Sequence, residues 1–261
     1  MMQVTGEEAL SGPTQVAGPW RPAREVCPPR AGEVHIWRAP LDPAPARVAV
    51  LYRTLAADEQ ERAGRFCLEA PRRRFIVARG LLRALLSACL GLEPERVPIA
   101  CTAHGKPVLA SAAGGPPLHF NLAHAGELAL VALSADREVG VDLEFVRPEL
   151  AGEEIAERFF SPSEAAALRT LPPEARVRAF FSCWTRKEAY LKARGEGLSL
   201  PLDRFTVSLS PGRPAALLDC RDDPEEALRW TLVDLPPGPG YVGAAAARGA
   251  GWQPLCWQWM P

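Results

Sequence analysis

Three lysines stand against twenty-seven arginines in this chain, and all three fall in short segments that mix charge with turn residues. Lys106 lies in GKP, while Lys187 and Lys192 lie in WTRKEAYLK. Where basic positions default to Arg, a retained Lys marks a place suited to a compact, mobile ammonium rather than a planar fork. Between these segments lies VGVDLEF, in which Val139, Val141, Leu143 and Phe145 alternate with Gly140, Asp142 and Glu144. At strand spacing the two carboxylates share one face, about 6.6 Å apart. Such a pair is either the solvated side of an antiparallel strand or a site for a hard cation. Mg²⁺ in particular takes one or two carboxylates, waters and phosphate oxygens.

The third carboxylate, Glu188, sits in a helical stretch over 174–194. Val177, Phe181, Trp184, Glu188 and Leu191 step by helical intervals, so Glu188 takes a place on the apolar stripe. An unpaired carboxylate facing a core costs several kcal/mol, so this one requires a cation, either a metal or a basic side chain. An internal pair with Lys192, four residues on, contributes only about 0.2–0.5 kcal/mol and does not need the apolar face. The stripe therefore favours a site. Lys192 and Arg194 fall in the last turn, with Gly195 and Gly197 beyond, which places Lys192 at the mouth of a cleft or in a helix cap. Upstream, SPSE (Ser161 to Glu164) reads as a capping box, a structural role that keeps Glu164 out of the catalytic set. His124 ends a strand ahead of a Gly turn and is a candidate phosphate donor or a structural one. His35, His104 and His119 have no evident partner.

These groups need a scaffold, and a chain of 261 residues, 48% hydrophobic, can bury a substantial core. A net charge of -1 gives no basic field for nucleic acid or anionic membrane, so phosphate recognition must be local. No apolar run spans a bilayer, and the start lacks a signal pattern, so a cytoplasmic protein is expected. The seven cysteines never reach C-x-x-C spacing and read as small core residues. Residues 1–32, rich in Pro, Gly and Ala, are expected to form a flexible leader, with order beginning at the strand EVHIWRA. A helix is expected from Thr54 as N-cap, and another from about Pro71 to Gly91 with Arg72, Arg73, Arg74, Arg79 and Arg83 on its polar side. Short strands follow, including LALVAL, which lacks polar alternation and should be buried on both faces. Helices then strands, given twice, suggest an α+β protein of two similar halves, 33–138 and 139–261.

Taken in order, GKP (105–107), FNLAHAG (120–126), GVDLE (140–144), RFFSPSE (158–164), WTRKEAYLK (184–192) and GLSLPL (197–202) resemble the 4'-phosphopantetheinyl transferases of the Sfp type. The resemblance implies a pseudo-two-fold α+β monomer whose halves clasp coenzyme A, with Mg²⁺ and the pyrophosphate in the cleft. It implies Asp142, Glu144 and Glu188 as metal ligands, Lys192 near the pyrophosphate, and Lys187, in the same segment, as a further residue binding the coenzyme A nucleotide. It further implies Lys106 and Pro107 beside the nucleotide, His124 on a phosphate and Arg74 facing the nucleotide. The implied activity moves 4'-phosphopantetheine from coenzyme A to a serine of an acyl or peptidyl carrier domain, with Glu188, Asp142 and Lys192 as the catalytic set. No nucleic acid and no membrane is an expected partner. Ala123 stands where relatives often carry a hydroxyl, and the acidic run Asp58, Glu59 and Glu61 stands where lysines could meet the 3'-phosphate, so weak recognition of that phosphate is expected. A non-catalytic coenzyme A module would give no reason for Glu188 on an apolar stripe. A carboxylate-metal nuclease would want a basic field that the chain lacks.

Overall fold

The computed structural model describes residues 17–110 and 117–260. In chain order its strands and helices are β1 (Arg21–Ala23), β2 (Glu33–Pro40), α1 (Pro45–Arg53), α2 (Ala57–Gly64), α3 (Glu69–Leu90), β3 (Ile99–Cys101), β4 (Pro107–Leu109), β5 (His119–Ala125) and β6 (Leu128–Ser134). There follow β7 (Val139–Phe145), α4 (Glu153–Phe159), α5 (Pro162–Thr170), α6 (Pro173–Arg194), β8 (Phe205–Val207), β9 (Leu217–Cys220), α7 (Glu226–Arg229), β10 (Trp230–Leu235), β11 (Tyr241–Arg248) and β12 (Gln253–Trp259).

One plan occurs twice. A strand leads into helices ending in one of 22 residues (β2 to α3, β7 to α6), then into a small hairpin (β3–β4, β8–β9) and a closing pair (β5–β6, β10–β11). In both halves the last strand lies between the other two, giving β2-β6-β5 and β7-β11-β10, all antiparallel. The α+β class and the paired halves follow from this topology.

Each long helix covers its own sheet. Ile76, Val77, Leu81, Leu82, Leu85 and Leu86 turn one side of α3 onto Trp37, Val131 and Leu133. The helix stops at Gly91, whose φ of +67° lets its N–H reach Ser87 O at 2.8 Å. The segment LALVAL, now β6, is buried on both faces, since α3 takes one side and the other half takes the other.

Three expectations change. Thr54 does not open a helix but closes α1, its Oγ1 donating to Leu51 O at 2.7 Å, because Pro45 supplies the earlier start. Of the leader, residues 1–16 lie outside the described residues, but from residue 17 the chain is built in. β1 pairs in parallel with β12, the Ala17 N–H donates to Asp234 O at 3.1 Å, and Trp20 Nε1 donates to Pro236 O at 2.5 Å. The boundary at 139 is also crossed, since β12 leaves the second half and inserts between β1 and β2 of the first. Trp257 and Trp259 of the tail thereby become core residues around Trp37.

Candidate active site

The site begins at a glycine. β7 lies under α6, and a Cβ on Gly140 would fall 2.1 Å from Ala189 O and 2.3 Å from Ala193 N, so only glycine permits this approach. Asp142 and Glu144 follow at strand period on the face that Gly140 opens to α6, while Glu188 and Lys192 flank Ala189 on the helix. From the first half, Asn121 on β5 accepts the Val141 N–H at 2.9 Å through its Oδ1 and so ties the two halves at this level.

The result is a buried carboxylate under a lysine. Asp142 is 5% exposed; its Oδ1 accepts from Lys192 Nζ at 2.5 Å, and its Oδ2 is buried with no partner. Burial raises the Asp142 carboxyl above the usual carboxylate range, against the pull of Lys192. Burial and then Asp142 raise Glu188, and the same two causes raise Glu144. Burial works to lower Lys192, but Asp142, Glu188 and Glu144 together hold its ammonium above the ordinary lysine value. Three carboxylates thus act on one cation. Among the described residues no three His, Cys, Asp or Glu side chains converge into a ready metal cage. The donor set is nevertheless all hard oxygen, and the buried Asp142 Oδ2 has no hydrogen-bond partner, so the residues present fit an ion such as Mg²⁺, which takes few carboxylates and substrate phosphate oxygens.

Beside this cluster opens a cavity of about 290 Å³, walled by Lys106, Pro107, Asn121, Glu188 and Lys192 and floored by Gly195 and Gly197. Of the three carboxylates, Glu188 alone lines it. A larger cavity of about 410 Å³ toward the other end of α6, between Arg178, Arg186 and Arg213, is lined by none of the candidate site residues. His124 stands at the end of β5, where desolvation by the surrounding chain, then Lys192 and Arg74, hold its imidazole below the ordinary histidine range. Arg74 and Lys192 are thus two cations acting on the His124 imidazole, and Arg74 lies 3.8 Å from Glu127.

One lysine is not where the sequence led. Lys187, expected at the nucleotide, is wholly buried on the far side of α6. Its Nζ meets Glu164 Oε2 at 2.8 Å and donates to Leu202 O at 2.8 Å and Phe205 O at 2.5 Å. Next to Glu188 in sequence, it points some 100° away round the helix and belongs to the core. Lys106 lines the cavity, and its ammonium donates to the Ala193 carbonyl at 2.7 Å. Glu59, counted against the 3'-phosphate, lies inside the first half between Arg79 and Arg83 and is neutralised there. Glu164 keeps the structural role read for it: its Oε2 accepts the Ser161 N–H at 2.7 Å, completing the capping box of α5. Asn121 and His104 both line the cavity and were not among the expected site residues. A polar residue in the strand HFNLAH, where Asn is disfavoured, was the available signal for Asn121.

Residues 138–246 match the family model described as the 4'-phosphopantetheinyl transferase superfamily, and residues 39–136 match the one described as 4'-phosphopantetheinyl transferase, N-terminal. The chain is 42% identical over 227 residues to the 4'-phosphopantetheinyl transferase HetI of Nostoc sp., covering 87% of this chain and 92% of that protein. It is 34% identical over 182 residues to the putative 4'-phosphopantetheinyl transferase slr0495 of Synechocystis sp., covering 70% and 72%. Over 155 residues it is 30% identical to the 4'-phosphopantetheinyl transferase Sfp of Bacillus subtilis, covering 59% and 66%.

Proposed function

Since the chain belongs to the 4'-phosphopantetheinyl transferases, and so moves phosphopantetheine from coenzyme A to carrier proteins, we propose that it does so at the Asp142–Glu188–Lys192 cluster, with Mg²⁺ as its metal. The observation that carries this reading is the buried Asp142, with one oxygen on Lys192 and the other unpartnered, directly beside the cavity that Glu188 and Lys192 line.

Asp142, Glu144 and Glu188 would hold the ion, which when bound neutralises charge on the pyrophosphate. The serine hydroxyl of an acyl or peptidyl carrier attacks the phosphorus that bears pantetheine. The bond from that phosphorus to the bridging oxygen breaks, and 3',5'-ADP leaves with the electron pair. Glu188, the carboxylate that faces the cavity, takes the serine proton. Lys192 swings on its flexible stem from Asp142 to the pyrophosphate and stabilises the leaving charge, a donor role of about 2–4 kcal/mol in the transition state. His124 and Arg74 bind phosphate oxygens, and Pro107 flanks the nucleotide. The two halves act as one monomer, joined by β12, which lies in the sheet of the first half. No helix among the described residues is long and apolar enough to cross a membrane, and a cytoplasmic location suits an enzyme that draws on coenzyme A.

The test is the intact mass of an apo-carrier incubated with the protein, coenzyme A and Mg²⁺, and again after chelation. Gain of one phosphopantetheine, abolished by chelation and restored by Mg²⁺, is the expected result. Undiminished loading in chelator would overturn the metal assignment.

A further inference from the structure

The cavity of about 410 Å³ lies between the earlier turns of α6, the loop joining β8 to β9, and the facing ends of β10 and β11. Its size is that of a small-molecule site, commonly about 300–1,000 Å³. Part of its lining is apolar and buried, through Ala179, Leu209, Leu235 and Val242. The rest is positive. Arg186, only 4% exposed, is already committed: its Nε and Nη2 donate to the two Asp234 carboxylate oxygens at 2.9 and 2.6 Å, and its Nη1 to Ser208 O at 2.5 Å. Ser208 in turn pins the β8–β9 loop, its Oγ donating to Pro214 O at 2.7 Å and accepting the Ala216 N–H at 2.9 Å. Arg213 stands on that pinned loop, its N–H donating to Ser210 O at 3.2 Å, and Arg178 stands on α6. Among the described residues the Arg186–Asp234 pair is the one ion pair made by any residue of this lining, so the Arg178 and Arg213 guanidinium groups remain uncommitted. Three arginines against Glu174 and Asp234 leave the cavity positive in a chain of net charge -1.

We propose that this cavity is a second binding site, for a small organic oxyanion whose carboxylate or phosphate head meets Arg178 and Arg213 and whose short apolar body lies against Ala179, Leu209 and Leu235. A guanidinium presents a planar fork of donors that matches either head, and here one fork comes from the helix and one from the loop. The buried Arg186–Asp234 pair fixes the loop and leaves the ligand to the two outer arginines. The apolar lining favours an anion that carries hydrocarbon over a bare inorganic one. This site is independent of the transferase reading, since it shares no lining residue with the cavity beside Lys192.

The test titrates octanoate, octyl phosphate, octanol and inorganic phosphate by calorimetry into the full chain saturated with 3',5'-ADP, which keeps the transferase site filled. Octanoate or octyl phosphate should bind once per chain with a Kd of about 1 mM or tighter, and the tighter of the two identifies the head. Octanol and inorganic phosphate should each bind at least about tenfold more weakly, because each lacks one half of the recognition. Arg178→Gln and Arg213→Gln should each weaken the bound anion about fivefold, and together at least about twentyfold, with carrier loading and the urea midpoint unchanged. Glu174→Gln, which removes a like charge, should tighten it. Absence of saturable binding would overturn the proposal, as would binding that the double variant leaves intact, or octanol bound as tightly as octanoate. Failure of the wild-type protein to load a carrier would end the transferase reading, while the comparison with the double variant still decides this site.

Discussion

Asp142 and Lys187 show how differently two buried charges are used. Lys187 is fully satisfied, by Glu164 and two carbonyls, and has no capacity left for a ligand. Asp142 keeps an oxygen without a partner and so retains capacity to meet a further group. Asp142→Asn and Glu188→Gln should each lower carrier loading by at least about a hundredfold, because each removes a carboxylate proposed to hold the metal, while far-ultraviolet circular dichroism stays unchanged because the change relieves repulsion in the cluster. Retained turnover in either would displace the site. Lys192→Ala should lower kcat more than it raises KM for coenzyme A, since its interaction matters most as charge develops on the leaving group. A rise in KM alone would reduce Lys192 to a binding role. Lys187→Ala should cost about 3–5 kcal/mol of stability by stranding the Glu164 carboxylate, and adding Glu164→Gln should recover part of it. Urea unfolding of the two variants measures the difference.

Among the elements, β7 and α6 together carry the proposed site, and their spacing is set by the absence of a side chain. With Ala189 O and Ala193 N within 2.3 Å of a Cβ on residue 140, Gly140→Ala must push the helix off the strand, because backbone cannot give way as a side chain can. The expected loss is about 3 kcal/mol of stability, with transfer activity falling further than the population of folded protein. An alanine variant with native urea midpoint and native turnover would refute this account of the close contact. The pattern VGVDLEF shows why the strand was legible: apolar residues alternate with the pair of acids, and that period survives any packing. The role of Gly140 was not legible, since a glycine in a strand reads only as a weak spot until the helix above it is known.

For the whole molecule, the exchange of β12 into the first sheet makes the two halves one unit. β12 lies in parallel between β1 and β2, and Trp257 stacks on Trp37 with ring centroids 5.9 Å apart. Removing residues 252–261 should expose the β2 edge and destabilise the protein by about 5 kcal/mol, given some 2 kcal/mol for each large side chain lost from burial. Calorimetry should show one unfolding transition for the full chain and a lower, broader one for the shortened chain. Equal transition temperatures would mean that β12 contributes nothing to joining the halves. What the sequence by itself determined is local and periodic: the long helices with their glycine stops, the buried strand β6, the capping box at Ser161, and the order of motifs that marks the family. These are properties of neighbours along the chain, so spacing alone carries them. The tertiary structure decided which way Lys187 and Lys106 point, that Glu59 is an interior ion pair, and that the tail completes the first half. Each depends on partners distant in sequence, whether Glu164 for Lys187, Ala193 for Lys106, Arg79 and Arg83 for Glu59, or β2 for β12, and only the closed fold brings those partners together.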